Sequence, residues 1–495
     1  MSRIIIQNGN MCELDLPLKF AQKLYNEFAI RHPNAFYLRT RQRGMQNWDG
    51  KIHYITKTGQ FKIGLLPKVY DMCIEMGIKP KVVDMRQPLP KVSKVVTNIG
   101  KYKLRPEQEK AVKAVIYNKI GNTPFHIGVL DYTVNAGKTL IMSSLYLSYK
   151  KQLKTLLITN DSDWLNQARE EFKQYLPGED ITFVQGKVLN WSNFTIGMVQ
   201  SISRNMRFYQ KELSQIDMVL IDEADQGGSK QYQNVITRLF NTRIRIGLSG
   251  TIYMSKLAKD RVKNMNLECF FGKVIAEFKL KDSIKKGYST KTVVKMVPGK
   301  PWYGNWESDC ISYKEIYDDS ITNCYTAWLM AYNRLLWNLN QGRYPALVVC
   351  KHIAHCENLY KFFKKKLGDA YNIAYVHVNT PSKLRQQIMK DFREGKIDIL
   401  VSTTIIARGK NFPKLRYLLN AASMDSQEKS IQFLGRLVRT DKSKKKVYLD
   451  DLHYPGPYLD RHGKHRKQYY QRQELKVILL DKLWKKHPNH SLIKS

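Results

Sequence analysis

Two stretches of the chain alternate short apolar runs with amphipathic helical patterns, and that alternation narrows the possible folds more than any other feature. In the first, "PFHIGVLDY" (124–132), "KTLLITN" (154–160), "FTIGMVQ" (194–200), "MVLIDEAD" (218–225) and "RIRIGLSGT" (243–251) each have the length of one strand. Helical periodicity separates them, as in "DSDWLNQAREEFKQYL" (161–176). The second repeats the scheme with "PALVVCK" (345–351), "YNIAYVHV" (371–378), "IDILVST" (397–403) and "RYLLNAA" (416–422). Strands alternating with helices of about 10–15 residues build βαβ units and parallel sheets. The reading is an α/β chain with two parallel-sheet lobes in tandem, 96–255 and 326–452. A chain of 495 residues is too long for one core, which agrees.

Three further segments flank the lobes. Residues 1–95 read as a separate small α+β domain, closed by "RQPLPKVSK", whose prolines suggest a linker. Residues 256–325 read as a linker or insertion; its aromatic stretch "KPWYGNWESD" (300–309) fits a linker better than a nucleic-acid contact. Residues 453–495 break at Pro455 and Pro457 and then read as a basic, amphipathic C-terminal helical tail.

Lys and Arg number 82 against 43 acids, a net charge of +39. An excess of that size points to a polyanionic partner, nucleic acid or an anionic membrane surface. It is spread along the chain: residues 1–100 hold 16 basic and 7 acidic side chains, and the middle is basic too. A long basic track fits this better than a disordered basic arm. The seven cysteines are scattered without a C-x-x-C pair, which reads as a reduced cytoplasmic protein, neither a disulfide scaffold nor a structural zinc protein. The run Lys351 to Cys356, with His352 and His355, looks metal-like but reads as a helix start. The N-terminus is too weakly apolar for a signal peptide, and no 18-residue apolar run exists to span a membrane.

The stretch "LDYTVNAGKT" (130–139) ends in Gly137-Lys138-Thr139, the close of a phosphate-binding loop, although Tyr132 stands where G-x-x-x-x-G-K-[ST] has glycine. The context is right for such a loop: a strand before it and "LIMSSLYLSYKK", a helix, after it, so backbone N–H groups and the helix dipole can face an anion. Lys138 is placed to reach the β- and γ-phosphates of ATP and Thr139 to put its hydroxyl on Mg²⁺. Asn135 replaces a common glycine, and Asn tolerates the left-handed conformation better than most residues. In "VLIDEAD", Asp222 and Glu223 end an apolar strand 84 residues after Lys138. Asp222 can hold Mg²⁺ through water, and Glu223 can orient and deprotonate an attacking water. "GLSGT" puts Ser249, Gly250 and Thr251 at another strand end. Near the N-terminus, Arg39, Arg41, Arg43 and Lys51 surround Trp48, a patch able to bind phosphates and stack on an unpaired base.

In order, the chain resembles the superfamily-two helicases and translocases. "LRPEQ" (104–108) resembles their adenine-reading motif. "TVNAGKT", "LITNDSDWLNQ", "MVQSIS", "DEAD" and "LSGT" resemble motifs I, Ia, Ic, II and III; "ALVVCKHIAHCENL", "STTIIARGKNFP" and "QFLGRLVR" resemble IV, V and VI. The family's loop also reads P-T-x-x-G-K-T, so Tyr132 is no objection to it; Asn135 is the remaining departure. The resemblance implies RecA-like lobes with ATP and Mg²⁺ between them. Arg105, Gln108, Thr133, Val134, Asn135, Ala136, Gly137, Lys138, Thr139, Gly409 and Asn411 are then nucleotide contacts. It also implies catalytic roles for Gln432, Arg436 and Arg439, DNA contacts at Gln200, Ser201, Thr403 and Thr404, and coupling of the two activities through Ser249, Gly250 and Thr251.

Motif VI has Gln432 where the DEAD-box RNA helicases have H-R-x-G-R, which places the resemblance in the DNA-directed branch. "NWDGKIHYITKTGQFKIGLL" (47–66) and "YLDRHGKHRKQYY" (458–470) resemble the phage UvsW-type branch-migration helicases, whose N-terminal domain binds DNA. That resemblance implies an ATP-dependent DNA helicase remodelling forks, R-loops and junctions in recombination, repair and replication. Its partner is branched or forked DNA, bound by a monomer in the cytoplasm (the host bacterial cytoplasm if phage-encoded), alongside replication or recombination proteins. The competing readings are an RNA-directed helicase and an ATP-gated DNA clamp without motor activity.

Overall fold

The computed structural model describes residues 2–41, 44–149, 152–186, 188–250, 252, 260–299, 312–407, 412–441 and 443–480. The chain forms two compact units, Met1–Phe278 and Lys279–Ser495. Each is built on a parallel sheet, as the alternation of runs predicts, of the RecA-like kind that the family resemblance implies.

In the first unit the large sheet runs, in spatial order, Val188–Leu189, Ile181–Gln185, Phe194–Met198, Thr155–Thr159, Met218–Asp222, Ile244–Ser249, His126–Tyr132 and Val274–Phe278. All its neighbours pair parallel except the short edge strand Val188–Leu189. Its central strands, such as His126–Tyr132 and Met218–Asp222, are buried along their whole length. That is why they read as continuous apolar runs and not as alternating ones.

The N-terminal region is α+β, as the sequence suggests. Gln60–Lys62, Met11–Asp15, Arg3–Ile6 and Lys81–Asp84 form a four-stranded sheet with helices Leu18–Glu27, Ala35–Arg41 and Leu66–Glu75. It is not the separate block expected, because Ile4, Ile6, Leu65 and Val69 share one apolar core with Ile127, Leu239 and Phe271 of the large-sheet layer. The approach is close enough that a Cβ on Gly64 would lie 2.1 Å from the Glu268 carbonyl oxygen, so only glycine fits there. Arg245, wholly buried on the strand Ile244–Ser249, spans the junction: its guanidinium donates to the Gly9 carbonyl at 2.6 Å, to Asn10 Oδ1 at 2.8 Å and to the Phe270 carbonyl at 3.2 Å. Burial, and secondarily Arg86, draws its pKa down to about 9.

The second unit carries a seven-stranded, wholly parallel sheet: Ile373–Val376, Ile399–Thr403, Ala346–Cys350, Tyr417–Asn420, Lys446–His453, Lys291–Pro298 and Lys476–Leu479. Two sequence boundaries are corrected here. Residues 256–325 are not a linker between lobes: helix Arg261–Phe271 and strand Val274–Phe278 complete the first sheet layer, while strand Lys291–Pro298 is an inner member of the second sheet. The aromatic stretch 300–309 lies outside the described residues. Nor is 453–480 an appended tail. Helix Leu459–Arg472 buries Leu459, His462, Arg466, Tyr469 and Tyr470, and Lys476–Leu479 adds the last strand of the sheet.

At the centre of that attachment, Asp451 and Arg466 are both fully buried. Arg466 donates from Nε and Nη2 to the Asp451 carboxylate at 2.8–3.0 Å, and to the carbonyls of Met424 and Leu452 at 3.0 Å. Asn420 and the Tyr470 hydroxyl, each at 2.8 Å, complete the shell around Asp451. No helix among the described residues is long and apolar enough to cross a membrane.

Candidate nucleotide-binding site

The strand His126–Tyr132 ends in the loop Thr133–Gly137, which runs straight into the helix Lys138–Ser148. Two loop residues adopt left-handed backbone, Asn135 at φ +64° and Gly137 at φ +71°. A side chain at 137 would also displace Gln108, whose Nε2 would lie 2.3 Å from the added Cβ. Gln108 is wholly buried. Its Oε1 accepts from the Arg105 N–H at 2.8 Å and its Nε2 donates to the Ala136 carbonyl at 2.8 Å, while Arg105 Nη1 donates to the Asn135 carbonyl at 3.3 Å. Thus the pair expected to read the base also holds two carbonyls of the loop, a role the sequence did not suggest. Thr133 and Ala136 are buried; Val134 and Thr139 are half-buried beside them.

The strand bearing the loop neighbours Ile244–Ser249, which in turn neighbours Met218–Asp222, all parallel. The register sets Asp131 beside Ser249 and Asp222 beside Leu248, so three chemistry-bearing strand ends lie along one edge of the sheet. In open parallel sheets that carboxyl edge is where ligands bind.

Across it, Lys138 Nζ lies 3.5 Å from Asp222 Oδ1, with side chains only 17% and 4% exposed. Burial raises the Asp222 pKa above the usual carboxylate range, more than the nearby Lys138 charge lowers it. For Lys138, burial by itself disfavours the ammonium, but Asp222, Glu223 and Asp225 together outweigh it and hold the pKa above its ordinary value. The lysine therefore stays charged, tethered to a carboxylate by a contact long enough to exchange for a phosphate.

Glu223, the next residue, sits at φ +52°, a left-handed conformation that costs a non-glycine residue about 1–3 kcal/mol. It begins the short turn Ala224–Gln226. Asp225, in that turn, accepts a 2.7 Å bond from the Ser249 hydroxyl, both groups buried. Gly250 follows, against the backbone of Thr133. The turn after Asp222, the strand end at Ser249-Gly250 and the phosphate loop are thus joined by direct contacts. Thr251, Gly409, Asn411 and Arg43 lie outside the described residues.

Other expected contacts fall as follows. Gln200 and Ser201 stand on helix Val199–Arg204, where Gln200 donates to the Asn160 carbonyl at 3.4 Å and Ser201 accepts from the Gly186 N–H at 2.9 Å. In the second unit, Thr403 ends the strand Ile399–Thr403, and Thr404 accepts from Lys429 Nζ at 3.4 Å. Gln432 and Arg436, both half-buried, lie on helix Gln427–Leu437, with Arg439 just beyond it.

In the N-terminal region Arg39, Arg41 and Lys51 are exposed. Trp48 is half-buried: its indole N–H donates to the Lys51 carbonyl at 2.9 Å, and His32 packs edge-on with ring centres 5.7 Å apart. The aromatic faces offered there are Phe36, 80% exposed, and Tyr37, on which Arg41 stacks at 5.2 Å. The helix Ala35–Arg41 buries only Ala35, a pattern visible in "AFYLRTR" only if the helix is assumed to project.

Comparison with known proteins matches residues 329–441 to the helicase conserved C-terminal domain and residues 101–254 to the type III restriction enzyme res subunit. The chain is a superfamily-two helicase. It is 22% identical over 451 residues to the ATP-dependent DNA helicase uvsW of Enterobacteria phage T4, a match covering 82% of each chain. It is 23% identical over 385 residues to helicase 22 of a Sulfolobus islandicus filamentous virus, covering 71% of this chain and 64% of that one. The chain spans 64% and 51% of the length of the first two curated relatives it matches. Among solved structures, S. cerevisiae Dbp5 bound to RNA and ADP BeF3 shares the fold at a TM-score of 0.51 and 15% identity, over 77% of this chain and 92% of that one. Helicase domains and helicase-named relatives together support an ATP-hydrolysing helicase.

Proposed function

We propose that the chain is an ATP-dependent DNA helicase or translocase that remodels branched DNA at forks, R-loops and junctions, in recombination, repair and replication. The observation that carries the ATPase half is the single sheet edge holding the Lys138–Asp222 pair, Glu223, and the Ser249–Asp225 bond. Lys138 and the loop backbone bind and orient the phosphates. Glu223 takes the proton of the attacking water. Asp222 and Thr139 are the residues to hold Mg²⁺. The site suits a hydrated cation, because Asp222 Oδ1 is a buried oxygen without a hydrogen bond among the described residues, having only its long contact with Lys138. When bound, the ion supplies neutralisation of phosphate charge. Gln432, Arg436 and Arg439, on the second unit, are assigned the catalytic roles that the family resemblance implies for them. Ser249, by holding Asp225 next to the acids, is the residue through which the nucleotide's state reaches the strand that carries it.

DNA as the polymer is supported by a DNA helicase 22% identical over 82% of the chain, by Gln432 in motif VI and by the net charge of +39. Arg39, Arg41 and Lys51 contact its phosphates, and Phe36, 80% exposed, offers a base-stacking face in addition to Trp48. The test is steady-state ATP hydrolysis with no polymer, single strands, duplex, a four-way junction and RNA. Strongest stimulation by the junction is the expected result. Stimulation by RNA alone refutes the DNA reading, and tight DNA binding with no hydrolysis makes the chain an ATP-gated clamp.

A further inference from the structure

In the second unit, away from the motif residues, two aromatic rings gather four cations. Trp337, on helix Tyr325–Leu339 and 41% exposed, has Lys295 Nζ at 4.4 Å, the Arg343 guanidinium at 4.8 Å and that of Arg334 at 4.9 Å from its ring centre. Tyr448, two residues into the strand Lys446–His453, has Arg343 at 3.6 Å, Lys446 at 5.4 Å and Lys295 at 5.9 Å. Register explains the gathering: Val293 pairs with Tyr448 and Lys295 with Asp450, so Lys295, Tyr448 and Asp450 share the sheet face that Arg334 and Asn338 approach.

The compensation is thin. Asp450 is the carboxylate that touches the group, and its Oδ2 is committed to Arg334 at 2.6 and 2.9 Å, Asn338 at 3.1 Å and the Tyr417 hydroxyl at 3.1 Å. No carboxylate contact to Lys295, Arg343 or Lys446 is present among the described residues. Burial first, and then Arg334, Arg343 and Lys446 against the opposing pull of Asp450, press the Lys295 pKa below its ordinary value. Like charges held this close raise the energy of the isolated protein, and an arriving anion relieves it. Because the ring faces are already occupied by cations, the rings serve to fan the charges out, and stacked bases have no free face on them. The array also stands at the opening end of Lys446–His453, whereas Thr403 closes its own parallel strand at the other end of the sheet.

We propose that Lys295, Arg343 and Lys446, arrayed on Trp337 and Tyr448, form a second nucleic-acid site that grips the phosphate backbone of a duplex arm without reading sequence. The proposal rests on the DNA reading only for the identity of the polymer. An arginine fork suits bidentate phosphate contact, and the lysines add point charges beside it.

The experiment is fluorescence anisotropy of a duplex of about 40 base pairs across a salt series, for the unaltered chain, Arg343→Gln/Lys446→Gln and Lys446→Gln alone. Lys446 is exposed and the single substitution spares the Arg343–Asn338 bond, so it keeps the test valid if the double variant unfolds; melting temperatures verify the fold. Each lost phosphate contact removes about 0.9 from the slope of log affinity against log salt. The expected result is a slope shallower by about two for the double variant and about one for Lys446→Gln, with affinity near 0.1 M salt lower by roughly 5- to 50-fold and 2- to 8-fold. Slopes equal to that of the unaltered chain overturn the proposal while leaving the DNA helicase reading standing. So does loss of polyglutamate binding with the DNA slope unchanged, which makes the surface one for acidic protein. An unaltered chain that binds no duplex at all refutes the DNA reading itself.

Discussion

Replacing Arg466 by methionine tests how firmly the C-terminal helix is built into the second unit. The substitution keeps most of the aliphatic volume and removes a guanidinium that makes three contacts to Asp451 and one to each of the Met424 and Leu452 carbonyls. What stays behind is a carboxylate with no solvent exposure, held by the Asn420 amide and the Tyr470 hydroxyl alone. Breaking a buried pair from one side costs about 3–5 kcal/mol, because the remaining charge is uncompensated. Since whole domains are stable by about 5–15 kcal/mol, this unit loses about a fifth or more of its stability, and its melting temperature falls by roughly 10 °C. Urea unfolding followed by far-UV circular dichroism reads the cost. Adding Asp451→Asn removes the stranded charge while keeping an acceptor for Tyr470, so the double variant should recover at least half of the loss. A cost below about 1 kcal/mol for the single variant, or no recovery in the double, refutes the account.

Two further outcomes follow from the sites described. Glu223→Gln should bind ATP and DNA as before but slow hydrolysis by about 10²–10⁴-fold, since only the water-activating carboxylate is lost; unslowed turnover in a single-cycle assay removes Glu223 from that role. Lys444 is buried with its ammonium bonded to the carbonyls of Leu415 and Leu437, and burial pulls its pKa from 10.5 to about 8. Between those values the unfolded chain binds the proton more tightly, so stability should rise with pH from about 8 to 10.5, by up to roughly 2–3 kcal/mol. Lys444→Met should remove that rise, and parallel curves for the two proteins in urea titrations refute it.

Both sheets were legible because central parallel strands are apolar throughout, and each motif sits where such a run stops. Asp222 and Ser249 could therefore be placed on strand ends, and Lys138 at the close of the loop that follows one, from the sequence alone. The partition of 256–325 could not. "VIAEF" and "KTVVKMVP" are modest runs whose sheets are decided by partners far away in sequence, His126–Tyr132 for one and Lys446–His453 for the other. The tail misled for a related reason. Its helix is rich in charge, yet one of its arginines is the most deeply paired residue there, and charge type alone does not distinguish a solvated Arg461 from a buried Arg466.

Arg245 gives the first unit a mechanical property. It is the second residue of the strand that ends in Ser249, and its guanidinium grasps the Gly9 carbonyl and Asn10 of the N-terminal sheet's first turn. Beside it Gly64 lets two backbones press together with no side chain between them. The N-terminal sheet is therefore joined directly to the strand of the Ser249–Asp225 bond, with that bond one strand length from the junction. The N-terminal sheet is thus built into the core of the nucleotide lobe, and is not a module on a tether.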